Sequence, residues 1–303
     1  MSFIREIVKN KYLYLLALPG LAFLVVFAYI PLNGHLIAFK KYRLADGLWG
    51  SRFVGFDNFK FFFMSGDWYK VTLNTLILNG LFLVFGLGLA LLLALFLNEI
   101  RQALFKKLAQ SFIFMPYFIS WLVVSMMAFS FLNTTDGIVN RTIESFGGER
   151  INWYLKAEVW PAFLTLIYVW KFAGYYSIIF LAAITGISGE YYESAKIDGA
   201  TRFQQIVHIT LPLIRSVAIV LGLLGVGRIF YGDFGMIYGI IGDNSALYST
   251  TDVIDTYTFR ALRVLSDFSK SSAVVLYQSV MGLITIVIFN SVARKMDKDS
   301  ALF

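Results

Sequence analysis

The sequence predicts an all-α membrane protein with six transmembrane helices. Three observations carry that expectation. Of 303 residues, 58% are hydrophobic and only 15% are charged, against about 25% charged in soluble domains. So much apolar surface cannot be buried around a single aqueous core. Six segments reach the length of about 20 mostly apolar residues that a helical crossing needs. The short alternating pattern of membrane-barrel strands is absent, which leaves helices to satisfy the backbone in lipid.

The first span is Tyr12–Ile30, preceded by Arg5, Lys9 and Lys11 and followed by Pro31. Basic residues before an apolar run suit a signal peptide. No small-x-small cleavage site follows, however, so the segment is expected to remain as the first helix. Span two, Val71–Leu97, carries no charge. Span three is Ser111–Leu132 and span four Phe163–Ile187. Span five runs from Leu213 to about Phe230, and span six is Ala273–Val292. One transmembrane domain over 1–303 is expected, with polar connections at 35–70, 133–160, 188–212 and 242–272.

Composition excludes several functions. There is no cysteine, hence no disulfide, thiolate metal site or cysteine nucleophile. Two histidines, His35 and His208, lie far apart, so no histidine metal site is expected. A net charge of +7 suits basic flanks at lipid head groups, and no nucleic-acid motif accompanies it. Six spans place both termini and the 188–212 loop on one side. Lysine and arginine counts do not orient the chain: twelve fall on each side, although the terminal side packs its twelve into shorter segments.

The stretch "GEYYESAKIDGATRFQQIVHITLP", Gly189–Pro212, is the polar insert with the most internal order. Good helix formers surround Ala195, with acids early, where they suit the helix dipole. Gly199 stands where a helix takes a left-handed C-terminal residue. Thr201 and Gln204 have capping-box spacing, so a second short helix starts at once. Phe203, Ile206 and Val207 give it an apolar face, with His208 off that face. Pro212 suits the first turn of the following span. A helix–glycine–helix unit can serve as a knob for a partner in water or lie on the lipid surface.

The residues resemble a known signature. Glu193-Ser194-Ala195, three residues, Gly199, nine residues, Ile209, one residue, then Leu211-Pro212 is similar to the E-A-A…G…I-x-L-P motif of permease subunits in bacterial ABC importers. Ser194 replaces the usual first alanine. "ALPGLAFLVVFAYIPL", "VGFDNFKFF" and "LNTLILNGL" look like sugar-importer permeases. "YVWKFAGYYSIIFLAAITGIS" and "ALYSTTDVIDTYTFRAL" look like the branch that handles complex oligosaccharides, including aldouronate-type fragments. The resemblance implies a type I importer transmembrane domain with both termini inside and the 188–212 loop cytoplasmic. Glu193, Ser194, Ala195, Asp198 and Gly199 would then lie at the ATPase contact, with Ile209, Leu211 and Pro212 fixing the return to the bilayer.

The same resemblance implies partners: a second, homologous permease, two ATPase subunits, an extracytoplasmic sugar-binding protein and the lipid bilayer of the bacterial cytoplasmic membrane. No G-x-x-x-x-G-K-[ST] loop occurs in the chain, so ATP and magnesium are assigned to the ATPases and no cofactor to this chain.

Charges inside spans are costly and mark cavities or partners. Lys171 lies in span four, Arg228 and Asp233 at the end of span five. They suit a polar cavity. Equally, Arg228 could pair with Asp233, and Lys171 could snorkel or bond helix carbonyls. Trp170, Tyr175, Tyr176, Phe230 and Tyr231 cluster nearby in sequence; such rings stack on sugar C–H faces or anchor the membrane interface. Asn74 and Asn79 suit interhelical hydrogen bonds. A secondary transporter or channel working alone is the alternative, but it calls for related halves that are not seen. A membrane enzyme would call for clustered carboxylates or histidines, and the acids nearest one another belong to the knob.

Overall fold

The computed structural model describes residues 9–296; Arg5 and Lys298, used in the charge count, lie outside them. The described residues are mostly helical, and contacts divide the chain into two units. Four helices are long and apolar enough to cross a membrane, and two bent helix pairs each pass the same test together.

The first unit takes residues up to Asp67 and Thr258–Tyr277. Helix α1, Lys11–Phe39, changes character along its length. An α-helix to Leu24 is followed by a π turn over Val25–Tyr29 and a 3-10 stretch over Ile30–Phe39. Pro31 accounts for the change: it has no N–H, and its ring clashes with the carbonyl four residues back. The chain then makes a two-stranded hairpin, β1 Lys40–Lys41 with β2 Arg52–Phe53. Asn58, from helix α2 (Asp57–Met64), closes it by donating to the Ala38 and Lys40 carbonyls at 2.8 and 2.9 Å.

The second unit holds Trp68–Tyr257 and the chain from Gln278 on. Its longest helix is α3, Asp67–Glu99. Span three is not the straight helix expected over Ser111–Leu132. Helix α4, Ala103–Phe118, and helix α5, Trp121–Leu132, meet at 95°. Pro116 tightens the end of α4 into a 3-10 turn, and Ile119 is extended. Ser120 then caps α5, its Oγ accepting from Val123 N at 3.4 Å. After the short helix α6, Ile138–Ser145, comes α7, Trp160–Thr185, with Pro161 in its first turn.

Two short helices follow, α8 at Gly189–Ile197 and α9 at Arg202–Leu213. Helix α10, Arg215–Val226, leaves α9 at 58°. Helix α10 therefore ends before Phe230, where span five was expected to end. The chain is irregular to Asp233, then forms α11, Phe234–Ile241. Helices α12 (Tyr248–Thr251), α13 (Ile254–Leu265) and α14 (Phe268–Met296) complete the described chain.

Two apolar cores hold the second unit. One joins Leu78 and Phe82 of α3 to Leu132, Trp160, Leu164, Ile237 and Leu247. The other joins Ala90 and Ala94 to Ala173, Phe180 and Ile184. The second uses small residues for close approach: a Cβ on Gly174 of α7 would run into the Ile113 carbonyl of α4. The 242–272 connection, read from sequence as a polar loop, carries buried core instead. Leu247, Val253 and Ile254 are fully buried, and Asn74 of α3 donates to the Asp252 carbonyl at 3.1 Å.

Candidate functional site

The helix–turn–helix at 189–213 forms as its residues require. Ser188 caps α8, and Glu190 and Lys196 occupy its first and last turns, each suiting the helix dipole. Gly199 has φ +80°, the left-handed position. Ala200 N donates to Ala195 O at 2.8 Å and Gly199 N to Lys196 O at 3.1 Å, the paired bonds of a Schellman ending. Thr201 opens α9 with a reciprocal capping box: Gln204 N donates to Thr201 Oγ1 at 3.3 Å, and Thr201 N to Gln204 Oε1 at 2.7 Å.

The buried face of α9 is not the apolar one. Gln205 and Thr210 are buried, whereas Phe203 and Val207 are exposed. A π turn over Ile206–Thr210 shifts the register just ahead of Pro212, whose missing N–H and ring disfavour a regular α turn there. Tyr192 of α8 joins Thr210 of α9 through their hydroxyls at 2.9 Å, and Gln205 Nε2 donates to Ala200 O at 3.1 Å. Arg202 lies 3.9 Å from Glu99 at the end of α3. Both side chains are half exposed, so this pair stabilises by under about 1 kcal/mol.

Of the residues assigned to the knob from sequence, Glu193, Ser194, Asp198, Gly199 and Pro212 are exposed; Ala195, Ile209 and Leu211 are half-buried. Sequence reasoning passed over Ile197, which is 87% exposed, beside Phe203 at 74%. Two large, exposed apolar side chains flank the Gly199 turn, a surface suited to a partner or to lipid. The signal was available: Ile197 is the apolar residue in the last turn of an otherwise polar helix.

The residues assigned to a substrate pathway have different surroundings in the structure. Trp170, 40% exposed, lines an apolar groove of about 520 Å³ with Val124, Phe163 and Leu166. Tyr175 stacks on Tyr117 of α4 with centroids 4.6 Å apart, and Tyr176 meets Tyr175 edge-on at 5.4 Å. Lys171 is only 5% exposed. Its ammonium donates to the Pro116, Tyr117 and Ile119 carbonyls and lies 5.0 Å from the Trp121 ring centroid. Of the two arrangements left open for Lys171, the geometry gives the one in which it bonds helix carbonyls. It satisfies the backbone that the α4–α5 break strands.

The break between α10 and α11 is braced in the same manner. Asn79 Nδ2 donates to the Ile229 and Tyr231 carbonyls at 2.9 and 3.2 Å. Gln278 Nε2 donates to the carbonyl of buried Phe230 at 2.7 Å and to Asp255 at 2.9 Å. Asp255 also accepts from Gly232 N at 2.6 Å. Asp233 does not pair with Arg228. Its carboxylate caps α11 by accepting from Met236 N at 3.0 Å, and it accepts from Trp121 Nε1 at 2.8 Å. The Asn79 bonds run to this irregular backbone rather than to another helix. Sequence reading missed Asn79's role here, and it missed Gln278, Asp255 and Trp121 altogether. Each bonds to residues far along the chain, and no local pattern announces that.

Three comparisons bear on this arrangement. Residues 86–298 match the family of binding-protein-dependent transport system inner membrane components. The LplB protein of Bacillus subtilis (strain 168) is 40% identical over 299 residues, covering 99% of this chain and 93% of that protein. The polygalacturonan/rhamnogalacturonan transport system permease protein YteP of the same strain is 38% identical, covering 97% and 91%. Among solved structures, a chain of a bacterial ABC transporter involved in the import of the acidic polysaccharide alginate superposes with a TM-score of 0.88 at 32% identity. That match covers 97% of this chain and 98% of that one.

Proposed function

The chain belongs to the family of binding-protein-dependent transport system inner membrane components, and on that premise we propose that it is one permease subunit of an ATP-driven oligosaccharide importer. It is a multi-pass transport protein of the bacterial cytoplasmic membrane and has the type I importer permease fold. In this reading the bent pair α4–α5 counts as one span, and α10 with the break after it counts as span five, which makes six. Both termini and the 188–212 loop then face the cytoplasm. A second, homologous permease completes the pathway, and two ATPase subunits bind ATP and magnesium. An extracytoplasmic sugar-binding protein delivers the cargo. The related alginate importer is solved in complex with a pentasaccharide-bound periplasmic protein, which supports the last of these partners.

The observation that carries the reading is the knob itself. A Schellman-terminated helix and a boxed helix meet at Gly199 and hold Ile197 and Phe203 in water. Such a surface gains by entering a cleft of a soluble partner. When the ATPases close, a rigid knob seated in them moves α10 and, through the Glu99–Arg202 contact, the end of α3. Alternating access follows when the spans turn about a central pathway.

The test is reconstitution. The chain is co-expressed with candidate ATPase and second-permease subunits and purified through a tag on the ATPase. Co-elution and ATP-dependent oligosaccharide uptake into vesicles are the expected results. Uptake by this chain alone, without ATP, overturns the reading in favour of a self-sufficient transporter.

A further inference from the structure

We propose that Arg228 reads the cargo's charge, binding a carboxylate on an acidic oligosaccharide at the break in span five. The inference rests on the permease reading above and adds a residue and a ligand class to it.

Depth comes first. With the 188–212 loop in water, α10 leaves the membrane surface at Arg215 and runs for 12 residues, about 18 Å of helix. Arg228 stands two residues beyond its end, deep in a hydrocarbon core about 30 Å thick. A guanidinium at that depth is costly and faces a water-filled cavity or a partner. Irregular backbone is tolerated there only where it is buried in protein or lines such a cavity.

The structure gives partners to three carbonyls and two carboxylates at the break, and none of those partners is Arg228. The Ile229, Phe230 and Tyr231 carbonyls are taken by Asn79 and Gln278. Asp255 is taken by Gly232 N and Gln278, and Asp233 by Met236 N and Trp121. Arg228 is exposed, and among the described residues it makes no ion pair. The two acids nearest it in sequence are thus committed to fixing backbone. The break is built around Arg228 without neutralising it.

A ring three residues on from Arg228 suits a sugar. Tyr231, 40% exposed, is held against α14. Its hydroxyl donates to Ser279 Oγ at 3.2 Å, and Gly282 admits the ring, since a Cβ there would come within 3.2 Å of it. A fixed aromatic ring takes the C–H face of a pyranose. The planar guanidinium fork of Arg228 takes a carboxylate with two parallel hydrogen bonds. A guanidinium left without an ion pair selects a hexuronate unit over a neutral hexose.

The experiment uses the assembled transporter in vesicles and two probes of equal length: trigalacturonic acid and its fully methyl-esterified form. Wild type is expected to prefer the acid. Arg228→Gln should lower the acid-to-ester uptake ratio by about tenfold or more, the scale of one lost charge-assisted bidentate contact. The loss should fall on KM for the acid. Arg228→Lys keeps the charge without the fork and should give an intermediate ratio; it also serves if the glutamine variant fails to assemble.

A ratio that neither substitution moves overturns the proposal, and Arg228 then answers to a carboxylate of the second permease. Wild-type vesicles with no preference for the acid, including vesicles that take up neither probe, overturn it as well. The permease reading is judged separately, by co-elution of the chain with the tagged ATPase, which needs no uptake of either probe.

Discussion

Replacing Gly199 separates backbone geometry from packing. Its φ is +80°, and a Cβ built there meets nothing within 4 Å. A side chain at this position therefore brings no clash, and the cost is the left-handed backbone alone. For an ordinary L-residue that cost is about 1–2 kcal/mol. It lowers the population of the native turn by roughly 5- to 30-fold. Valine, branched at Cβ, pays the most, and asparagine, which enters the left-handed region readily, pays little. The turn sets the angle between α8 and α9, so Gly199→Val should leave the spans folded while ATP-coupled uptake falls at least fivefold, by the same ratio. Gly199→Asn should stay within about twofold of wild type. The assay is uptake and ATPase stimulation in reconstituted transporter, with the thermal midpoint as a folding control. Equal uptake by the valine variant and wild type would refute the argument. So would an asparagine variant as impaired as the valine one, because φ would then not be the cause.

Three further outcomes follow from the same geometry. Lys171→Met strips the donors from the Pro116, Tyr117 and Ile119 carbonyls. Stranding a buried polar group costs about 1–3 kcal/mol, so the thermal midpoint of the purified transporter should drop by several degrees; an unchanged midpoint denies the bracing role. Gly174→Ala pushes a Cβ into the Ile113 backbone. Neither backbone can yield, and the overpacking should cost about 1–3 kcal/mol, whereas Gly88→Ala, where a Cβ meets nothing within 4 Å, serves as the neutral control. Thr201→Ala removes the capping box at a cost of about 1 kcal/mol; proteolysis of the 199–205 segment should accelerate about fivefold, and Thr201→Ser should restore protection.

Local chemistry was legible in the sequence wherever one short stretch decided the structure. Ser188, Gly199, Thr201 and Gln204 each act within a few residues, and each lies in the conformation its type prefers. Long apolar runs gave the spans for the same reason, since length and hydropathy are local. The breaks were not legible. Pro116 and Pro212 were visible, but a proline inside an apolar run either kinks a helix or is absorbed by it. Which outcome occurs depends on donors that reach the freed carbonyls. Lys171 lies 55 residues from Pro116, and Asn79 lies 150 from Ile229. No window of sequence contains both partners.

The same reasoning decides how intramembrane polar residues divide between structure and transport. A side chain that fills the hydrogen-bonding capacity of broken backbone has a sufficient structural cause, and Lys171, Asn79, Gln278, Asp233 and Asp255 all have one. Charge in a span is therefore too coarse a criterion for a pathway residue: it selects Lys171, whose ammonium is consumed by three carbonyls, together with Arg228, which makes no ion pair among the described residues. The sharper criterion is polarity left over once the backbone has been satisfied. Under it the knob and the pathway become independent parts. One is set by a left-handed glycine at the loop, the other by an arginine at the break in span five, and the 12 residues of α10 connect them. A Gly199 variant should then lower uptake of acid and ester alike, and an Arg228 variant should change their ratio. A Gly199 variant that altered the ratio would show that selection and coupling are not separable in this chain.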